Sequence, residues 1–314
     1  MLFHKTPGRL AQAFLAATAM AGLAGAGCDD RGSGARAADA TVASGGSSGL
    51  AAAPAEAPLR RAPDGRPLTL TFTESFDILD PSCGQPPRWR SAFGDGEQDG
   101  VGKRTLAGNG ERQVYIDSCF LRGGKSPFQR RPGGLDIVAD RAAPGVADRL
   151  ENHRFTSGVL TTQPSFNQRY GYFEARVRLP RGKGLWPAFW MLPADLSWPP
   201  EIDVVESVGD PGRAVATVHA RDVAPEPVAY DVPSTDSFHV FAVSWDPRSL
   251  VWYLDGREVA RKPTPRDADK PMFLVLNLAV GGHWPGDPDE ATPFPARFSI
   301  DWVRAYQFAT PGSS

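Results

Sequence analysis

The chain has 314 residues, of which 34 are Lys or Arg and 36 are Asp or Glu, and its formal net charge is −2. This balance offers no basic surface of the kind that binds nucleic acid. The 30 prolines and 33 glycines are many for a helical protein, and the eight tryptophans and 17 phenylalanines favour a fold rich in aromatic contacts. A β-sandwich of this length often forms a single domain.

The first 27 residues have the pattern of a signal peptide. Two basic residues precede an Ala-rich apolar run over 10–27, which ends in small residues. The run is weakly hydrophobic for a membrane span, although a retained anchor stays an alternative. The segment 25–28 resembles a bacterial lipoprotein cleavage site, except that Gly25 stands where Leu is usual. We expect an exported protein, secreted or periplasmic, with plain secretion favoured over lipidation and membrane attachment at Cys28.

A low-complexity segment separates this start from the folded part of the chain. Residues 28–66 are mostly Ala, Gly, Ser and Pro, which cannot bury a core, so they are predicted to form a flexible linker. The folded domain is predicted over 67–309, with a short tail at 310–314. It begins with an alternating strand pattern at 68–72. The polar, Gly-rich segment 88–110 predicts long loops, which in a compact domain are usually functional.

Short strand patterns with turns between them fill the rest of the domain. They lie at 135–139, 157–161, 170–179, 214–220, 238–244, 250–254 and 298–308. Asp255-Gly256 is a hairpin turn signal. No stretch has a long helical period, and we find no internal repeat. The sequence therefore predicts an all-β fold, a two-sheet antiparallel sandwich.

Three acids lie within the six residues 201–206, of sequence EIDVVE. Side chains alternate faces along a strand, so Glu201 and Asp203 share one face and strict alternation would turn Glu206 away. One extra residue, a β-bulge near 204–205, would bring Glu206 back beside them. The glutamate Cα atoms would then lie about 13 Å apart, and inward-leaning side chains would approach the roughly 5–5.5 Å of a retaining glycosidase pair. The alternative is a solvated acidic strand, which fits an otherwise apolar strand less well.

Tryptophans surround this acidic strand in the sequence. Trp186 and Trp190 precede it, Trp198 lies three residues before the first acid, and Trp284 lies in a turn-rich segment. Sugar rings have apolar faces that stack on aromatic side chains. Trp186 and Trp284, next to Pro and Gly in predicted loops, are expected to line a cleft, whereas core and cleft are equally expected for Trp190. Three further tryptophans lie in strand patterns and are predicted core residues: Trp245, Trp252 and Trp302.

Histidine and cysteine add little by themselves. His219 ends a strand pattern, and it is either structural or a hydrogen-bond partner of a substrate hydroxyl or a catalytic carboxylate. In an exported protein Cys83 could pair with Cys119 in a disulfide, which leaves Cys28 for another fate. No Cys/His cluster has zinc spacing, so we expect no catalytic metal. Asn109 lies in a polar loop, which alone indicates solvation.

Several motifs resemble those of glycoside hydrolase family sixteen, and the resemblance covers about 67–309. The segment 201–206 matches the bulged Glu-x-Asp-x-x-Glu signature of that family. Four other segments are similar to family motifs: 170–176, 184–192, 277–285 and 301–306. Within the family, 192–201 and 108–115 look like the secreted endoglycanases that cut succinoglycan-type bacterial exopolysaccharides. The laminarinase-type insertion before the acidic strand is missing, since only eight residues run from 193 to 200.

The resemblance implies a concanavalin A-like β-jelly-roll with a concave cleft. It implies endo-hydrolysis of β-1,3- or β-1,4-linked glucans or galactans with retention at the anomeric carbon. Glu201 would be the nucleophile, Glu206 the acid/base and Asp203 their helper. Catalysis would need no cofactor, but the family often binds a structural calcium, for which Asp301 is the matching position.

The substrate-binding residues expected on this basis form one set: Trp186, Trp190, Trp198, His219, Trp284, Asn109 and Arg176. The partner would be a polysaccharide, and we expect a monomer. Two alternatives stay open on the sequence alone. One is a transglycosylase, which differs only in its acceptor. The other is a non-catalytic, lectin-like jelly-roll, which would need the aromatic groove but not three acids on a bulged strand.

Overall fold

The computed structural model of the protein describes residues 56–77, 88–93, 100–120 and 126–309. These residues form sixteen strands and three short 3-10 helices. The strands are β1 (Leu68–Glu74), β2 (Gln113–Tyr115), β3 (Phe128–Arg131), β4 (Gly134–Arg141), β5 (Phe155–Ser157), β6 (Val159–Thr161), β7 (Gly171–Arg178), β8 (Leu185–Pro193), β9 (Glu201–Glu206), β10 (Arg213–His219), β11 (Val228–Asp231), β12 (His239–Trp245), β13 (Ser249–Leu254), β14 (Arg257–Pro263), β15 (Met272–Val280) and β16 (Ala296–Phe308). The 3-10 helices are Val101–Lys103, Ala107–Asn109 and Ala147–Leu150.

The strands form two sheets. The ten-stranded sheet has the order β14-β13-β12-β7-β16-β4-β5-β2, with β1 beside β16 and β3 beside β4. The six-stranded sheet has the order β11-β10-β9-β8-β15-β6. All of these strand pairs are antiparallel except β2 and β5. The predicted two-sheet, mainly antiparallel architecture is therefore confirmed.

One hydrophobic core lies between the sheets. On β7 the side chains of Phe173, Ala175 and Val177 face this core and are fully buried, as the alternation of that strand predicts. Trp245 and Trp252 are buried in the same core. These bulky side chains hold the two sheets in one fixed relation, so each sheet can present a defined outer face.

A second cluster covers part of the outer face of the six-stranded sheet. It contains Trp190 and Val275 from the sheet, with Phe93 and Tyr115 packed over them from outside. Phe93 lies in the long loops predicted over 88–110, and Tyr115 lies just after them on β2. They cover the β15 side of this face, and they leave the β9 and β10 side for the acids.

Six strands were not predicted: β2, β3, β8, β11, β14 and β15. Two of them, β8 and β15, are neighbours inside the six-stranded sheet. Every residue of β8 and of β15 is buried. A strand that is buried on both faces gives a continuous apolar run without alternation, so its sequence pattern is weak. The expectation that Trp186 lies in a loop is wrong, because Trp186 is the second residue of β8.

The predicted strand at 157–161 is divided between the two sheets. Gly158 separates β5, in the ten-stranded sheet, from β6, in the six-stranded sheet. A Cβ at Gly158 would lie 2.7 Å from the Phe128 ring, so the crossing requires glycine. This crossing is one place where the chain joins the layers of the sandwich.

The predicted linker is shorter than the sequence indicates. Ala62 is buried, and the Leu59 N–H donates a hydrogen bond to the Tyr306 hydroxyl at 3.1 Å. Residues 56–66 therefore pack on the ten-stranded sheet. The predicted signal peptide, Cys28, the rest of the linker and the 310–314 tail lie outside the described residues. Among the described residues, no helix is long and apolar enough to span a membrane.

Candidate active site

The acidic segment forms β9, between β8 and β10 in the six-stranded sheet. The predicted bulge is confirmed by the pairing with β8. Trp190 pairs with Asp203, but the next pair is Phe189 with Val205, so Val204 has no partner on β8. The register with β10 shifts at the same place. The bulge therefore adds one residue to β9 between its second and third acids.

The bulge places all three acids on the outer face of the sheet. Asp203 lies opposite Trp190, and Glu206 lies opposite Ala188. Trp190 and Ala188 are two residues apart, so they share a face, and both belong to the outer cluster. Glu201, two residues before Asp203, projects to that face as well.

Two indole groups hold the outer two acids. The Trp198 Nε1–H donates to Glu201 Oε2 at 2.8 Å, and the Trp186 Nε1–H donates to Glu206 Oε1 at 2.9 Å. Both tryptophans were expected to bind substrate, and the structure shows each of them donating to an acid of β9. An N–H donor at an acid favours the ionised form of that acid and fixes its orientation.

His219 lies beside the first two acids, because it pairs with Glu201 across β9 and β10. Its Nε2 atom is 3.3 Å from Asp203 Oδ2 and 3.9 Å from Glu201 Oε1. The alternative in which His219 contacts a catalytic carboxylate is therefore the one that the geometry supports. Its ring also lies 6.2 Å from the Trp198 ring.

The remaining predicted tryptophans occupy different positions. Trp284 is half-buried, and its ring meets the Trp186 ring edge to face at 5.4 Å. Trp190 is buried in the outer cluster, and its Nε1–H donates to Asn277 Oδ1 at 2.7 Å. Trp284 thus adds an aromatic surface beside the Glu206 side of the site, whereas Trp190 forms its floor.

Burial raises the pKa of each acid of β9. For Glu201 and Glu206 the nearby Asp203 carboxyl raises the pKa further, while His219 and the indole donors lower it. The pKa of Asp203 is raised by burial, and its hydrogen bond with Glu201 opposes that rise. Three like charges this close cannot all form at neutral pH without a large cost. The cluster therefore retains protons at a pH where isolated carboxyls would be ionised.

Two predicted substrate contacts are wrong. Asn109 is buried, and its side-chain amide donates to Glu111 Oε1 at 3.0 Å, so it supports a loop instead of facing the acids. Arg176 lies on β7 of the ten-stranded sheet, and its guanidinium pairs with Asp301. In both cases the segment matched a family motif, but the side chain points to a local partner.

The expected calcium position does not fit a cation. Asp301 accepts the guanidinium groups of Arg131 and Arg176, one on each carboxylate oxygen. Two fixed positive charges in this place compete with a metal ion. Among the described residues, one group of ligand atoms lies within 4.8 Å of one another, and it consists of Glu201, Asp203 and His219. There an indole N–H already points at Glu201, so we assign no metal to either position.

Only one of the two cysteines in the predicted disulfide lies within the described residues. Cys119 is disulfide-bonded. Cys83, its predicted partner, lies outside the described residues, so the pairing of these two cysteines stays a prediction.

A polar network below the site was missed from the sequence. Asn277 of β15 accepts from Trp190 and donates from Nδ2 to the Tyr115 hydroxyl at 3.0 Å. Tyr115 in turn donates to Glu111 at 3.4 Å. The sequence signal that could have revealed this network is Asn277 itself, the one side-chain amide in the otherwise apolar strand β15. A buried polar side chain needs partners, and so it marks a network.

The comparisons with known proteins agree with this geometry. A family model described as "Glycosyl hydrolases family 16" matches residues 127–304. The Endo-1,3-1,4-beta-glycanase EglC of Rhizobium meliloti (strain 1021) is 38% identical over 244 residues, which cover 76% of this chain and 52% of EglC. The Beta-glucanase of Rhodothermus marinus is 35% identical over 237 residues, which cover 64% of this chain and 76% of that protein. The chain spans about half the length of the Rhizobium relatives that it matches.

A solved structure agrees as well. The laminarinase catalytic domain from Thermotoga maritima MSB8 matches with a TM-score of 0.64 and 32% sequence identity, over 77% of this chain and 99% of that domain. The sandwich of the present chain is therefore the jelly-roll that the sequence predicts.

Proposed function

Because the chain belongs to family 16 of the glycosyl hydrolases, we propose that it is an endo-acting, retaining β-glycanase that hydrolyses internal β-1,3 or β-1,4 bonds. The observation that carries this proposal is the bulge of β9, which gathers Glu201, Asp203 and Glu206 on one face with indole donors on the outer two. Two carboxyls of this kind perform glycoside hydrolysis without a metal or an organic cofactor.

In the first step, a carboxylate oxygen of Glu201 bonds to the anomeric carbon. The bond from that carbon to the leaving oxygen breaks, and Glu206 gives its proton to that oxygen. In the second step, Glu206 takes a proton from water as the water oxygen attacks the anomeric carbon. The ester bond to Glu201 breaks, and the two inversions give net retention.

The electrostatics of the cluster suit this division of labour. Burial and the Asp203 charge raise the pKa of Glu206, so Glu206 can hold a proton for the leaving oxygen near neutral pH. Glu201 must attack as an anion. Burial and Asp203 raise its pKa, and the Trp198 N–H and His219 oppose that rise, so the protons that the cluster retains have to lie on the other acids when Glu201 attacks. Asp203 forms a hydrogen bond with Glu201 and so orients it. The three acids titrate as a coupled set, so activity depends on the protonation of the whole group.

The substrate that fits best is a bacterial exopolysaccharide or a related glucan outside the cell. Support comes from the resemblance of 192–201 and 108–115 to succinoglycan-type endoglycanases, and from the name of EglC as an endo-1,3-1,4-beta-glycanase. The predicted signal peptide supports export, with lipidation at Cys28 as the alternative form of attachment. We propose a monomer, which sedimentation of the purified protein would test.

The nucleophile is tested by Glu201→Ala with added azide. We expect hydrolysis of an aryl β-glycoside to fall by about 10⁴-fold or more without azide. Azide, small enough for the space left by the carboxylate, should restore cleavage and give an α-glycosyl azide. In the matched arm, Glu206→Ala with azide should give the β-azide instead, because azide then replaces water at the intermediate. Full activity of Glu201→Ala without azide would overturn the assignment.

The polymer itself is identified by a panel of laminarin, lichenan, agarose, carrageenan and succinoglycan-type polysaccharides. A sharp fall in mean chain length while few reducing ends have been released indicates endo-hydrolysis. Binding without new reducing ends would instead indicate a lectin-like module, and redistribution of chain lengths would indicate a transglycosylase.

A further inference from the structure

A tryptophan of the opposite sheet contacts the acidic strand from behind. Trp252 lies on β13 of the ten-stranded sheet and is fully buried in the core between the sheets. Its Nε1–H donates a hydrogen bond to the backbone carbonyl of Asp203 at 2.8 Å. This bond therefore joins the two layers at the second acid of the motif.

The accepting carbonyl lies at the bulge. Val204 is the residue without a partner on β8, and Asp203 is the residue just before it. A bulge interrupts the ladder of backbone hydrogen bonds, and a buried carbonyl that loses a ladder partner needs another donor. Carbonyls in a regular strand lie in the plane of the sheet. A hydrogen bond from the other sheet to the Asp203 carbonyl therefore fits a carbonyl that the bulge turns towards the core.

Each acid of β9 is thus held by one indole. Trp198 and Trp186 reach the carboxyl groups of Glu201 and Glu206 from the outer face. The Asp203 carboxyl lies beside two other members of the cluster, Glu201 and His219. Its backbone, however, is anchored from the inner face by the third indole.

We propose that Trp252 is a positioning residue, which sets the direction of the Asp203 side chain by fixing the rotation of the Asp203–Val204 peptide. The expected loss of activity rests on the proposed function, whereas the positioning of Asp203 by Trp252 does not. If the peptide rotates, the Cα–Cβ direction of Asp203 changes, and with it the contact between Asp203 and Glu201. Displacements of about 1 Å at a reacting group can cost a hundredfold in rate.

The test compares Trp252→Phe with Trp245→Phe. Trp245 is a matched control, because it is fully buried in the same core and lies on β12, the neighbour of β13. Its Nε1–H has no hydrogen-bond partner among the described residues. Both substitutions remove the same atoms from the core, but only Trp252→Phe removes a donor to the acidic strand.

We expect kcat on the preferred polymer to fall by about tenfold to a hundredfold in Trp252→Phe, with KM within about threefold of wild type. The pH profile of kcat should shift as well, because the contact between Asp203 and Glu201 changes. Trp245→Phe should keep kcat within about threefold and keep the pH profile. Equal kcat values and equal pH profiles in the two variants would overturn the proposal.

Two further measurements separate this inference from misfolding and from the proposed function. If Trp252→Phe does not fold, a 3-benzothienylalanine residue at 252 keeps the indole shape and replaces the N–H by sulfur, and it should give the same loss of kcat. Carboxyl ¹³C NMR reads the titration of Asp203 without any substrate. A changed Asp203 titration in the 252 variant alone supports positioning even if the wild-type protein cleaves no polymer, whereas an unchanged titration contradicts it.

Discussion

Glu111 and the acids of β9 are all buried carboxyls, and burial raises the pKa of Glu111 as it raises the pKa of the β9 acids. Their surroundings differ. The Glu111 oxygens accept hydrogen bonds from the Leu106 backbone N–H at 3.2 Å and from the Asn109 side-chain amide at 3.0 Å. They also accept one from the Gln113 side-chain amide at 2.6 Å. The Tyr115 hydroxyl adds a longer contact. Glu111 therefore sits among donors that match a carboxylate.

The acids of β9 have the opposite imbalance. Glu201 and Glu206 each receive one indole N–H, and the third acid, Asp203, lies between them. Acceptors outnumber donors, and like charges repel, so the neighbouring Asp203 adds to burial in raising the pKa of Glu201 and Glu206, whereas at Glu111 the neighbouring donors oppose burial. Burial alone thus does not mark a catalytic carboxyl. What marks it is a surplus of acidic oxygens over donors, because that surplus leaves a proton available for transfer.

Of the variants that test the contrast between these two carboxyl sites, Glu206→Gln should have the largest effect. The amide oxygen can still accept the Trp186 N–H, so folding is kept, but no proton is available for the leaving oxygen. We expect kcat/KM on a polymer to fall by about 10²–10⁴-fold, or about 3–5 kcal/mol of transition-state stabilisation. Initial rates on the polymer and on an aryl glycoside with an acidic leaving group measure this.

The aryl glycoside supplies the control for that prediction. Its leaving group needs little protonation, so formation of the glycosyl-enzyme should be much less affected in Glu206→Gln. An equal loss of that step on both substrates would mean that Glu206 is not the acid.

Glu111→Gln should affect stability instead. The new amide group places N–H donors against the donors of Leu106, Asn109 or Gln113, so at least one buried group loses its partner. We expect the free energy of unfolding to fall by about 2–3 kcal/mol at neutral pH, with kcat changed far less than in Glu206→Gln. Urea unfolding followed by tryptophan fluorescence measures the first quantity, and initial rates measure the second.

Glu290→Gln is the control for that variant, because Glu290 is exposed and should give no change in either quantity. A Glu111→Gln protein with wild-type stability and no activity would show that the two carboxyl sites do not differ as described.

The contrast between the two sites was only half visible in the sequence. The bulge could be predicted because Glu206 breaks a strict alternation, and local alternation is what a strand imposes on its side chains. Glu111 gave no such signal. Its partners lie in the preceding loop and on β2, and its network ends at Asn277, far along the chain, so its burial depends on tertiary packing.

The same reason explains the predictions that were wrong. Asn109 and Arg176 lie in segments with family motifs, but a motif does not say which neighbour a side chain will meet. Asp301 was matched to a cation, and two arginines from other strands take its oxygens. The central strand β8 was missed because its burial on both faces removes the alternation by which strands are predicted. Local periodicity predicts how side chains are arranged along one strand, but it does not predict the contacts between strands.

A smaller effect of opposite sign to that of Glu111→Gln is expected for Asp203→Asn. Burial raises the pKa of Asp203 above its value in the unfolded chain, so the folded protein binds more protons between the two pKa values. The unfolding free energy of the wild type therefore falls as pH rises from about 4 through that raised pKa. The asparagine variant has no proton to lose at this position, so it should be the more stable protein at pH 8.

The expected gain is about 1–2 kcal/mol at pH 8, since one pKa unit corresponds to about 1.4 kcal/mol and the neighbouring acids share the protons. The gain should shrink to a few tenths of a kcal/mol near pH 4, where the aspartic acid is neutral in the folded protein and about half ionised in the unfolded chain. Urea titrations of both proteins at pH 4, 6 and 8 measure the difference. A variant that is less stable at pH 8 than at pH 4, relative to wild type, would mean that the donors around the Asp203 carboxylate outweigh burial and the neighbouring acids, and the contrast with Glu111 would then be lost.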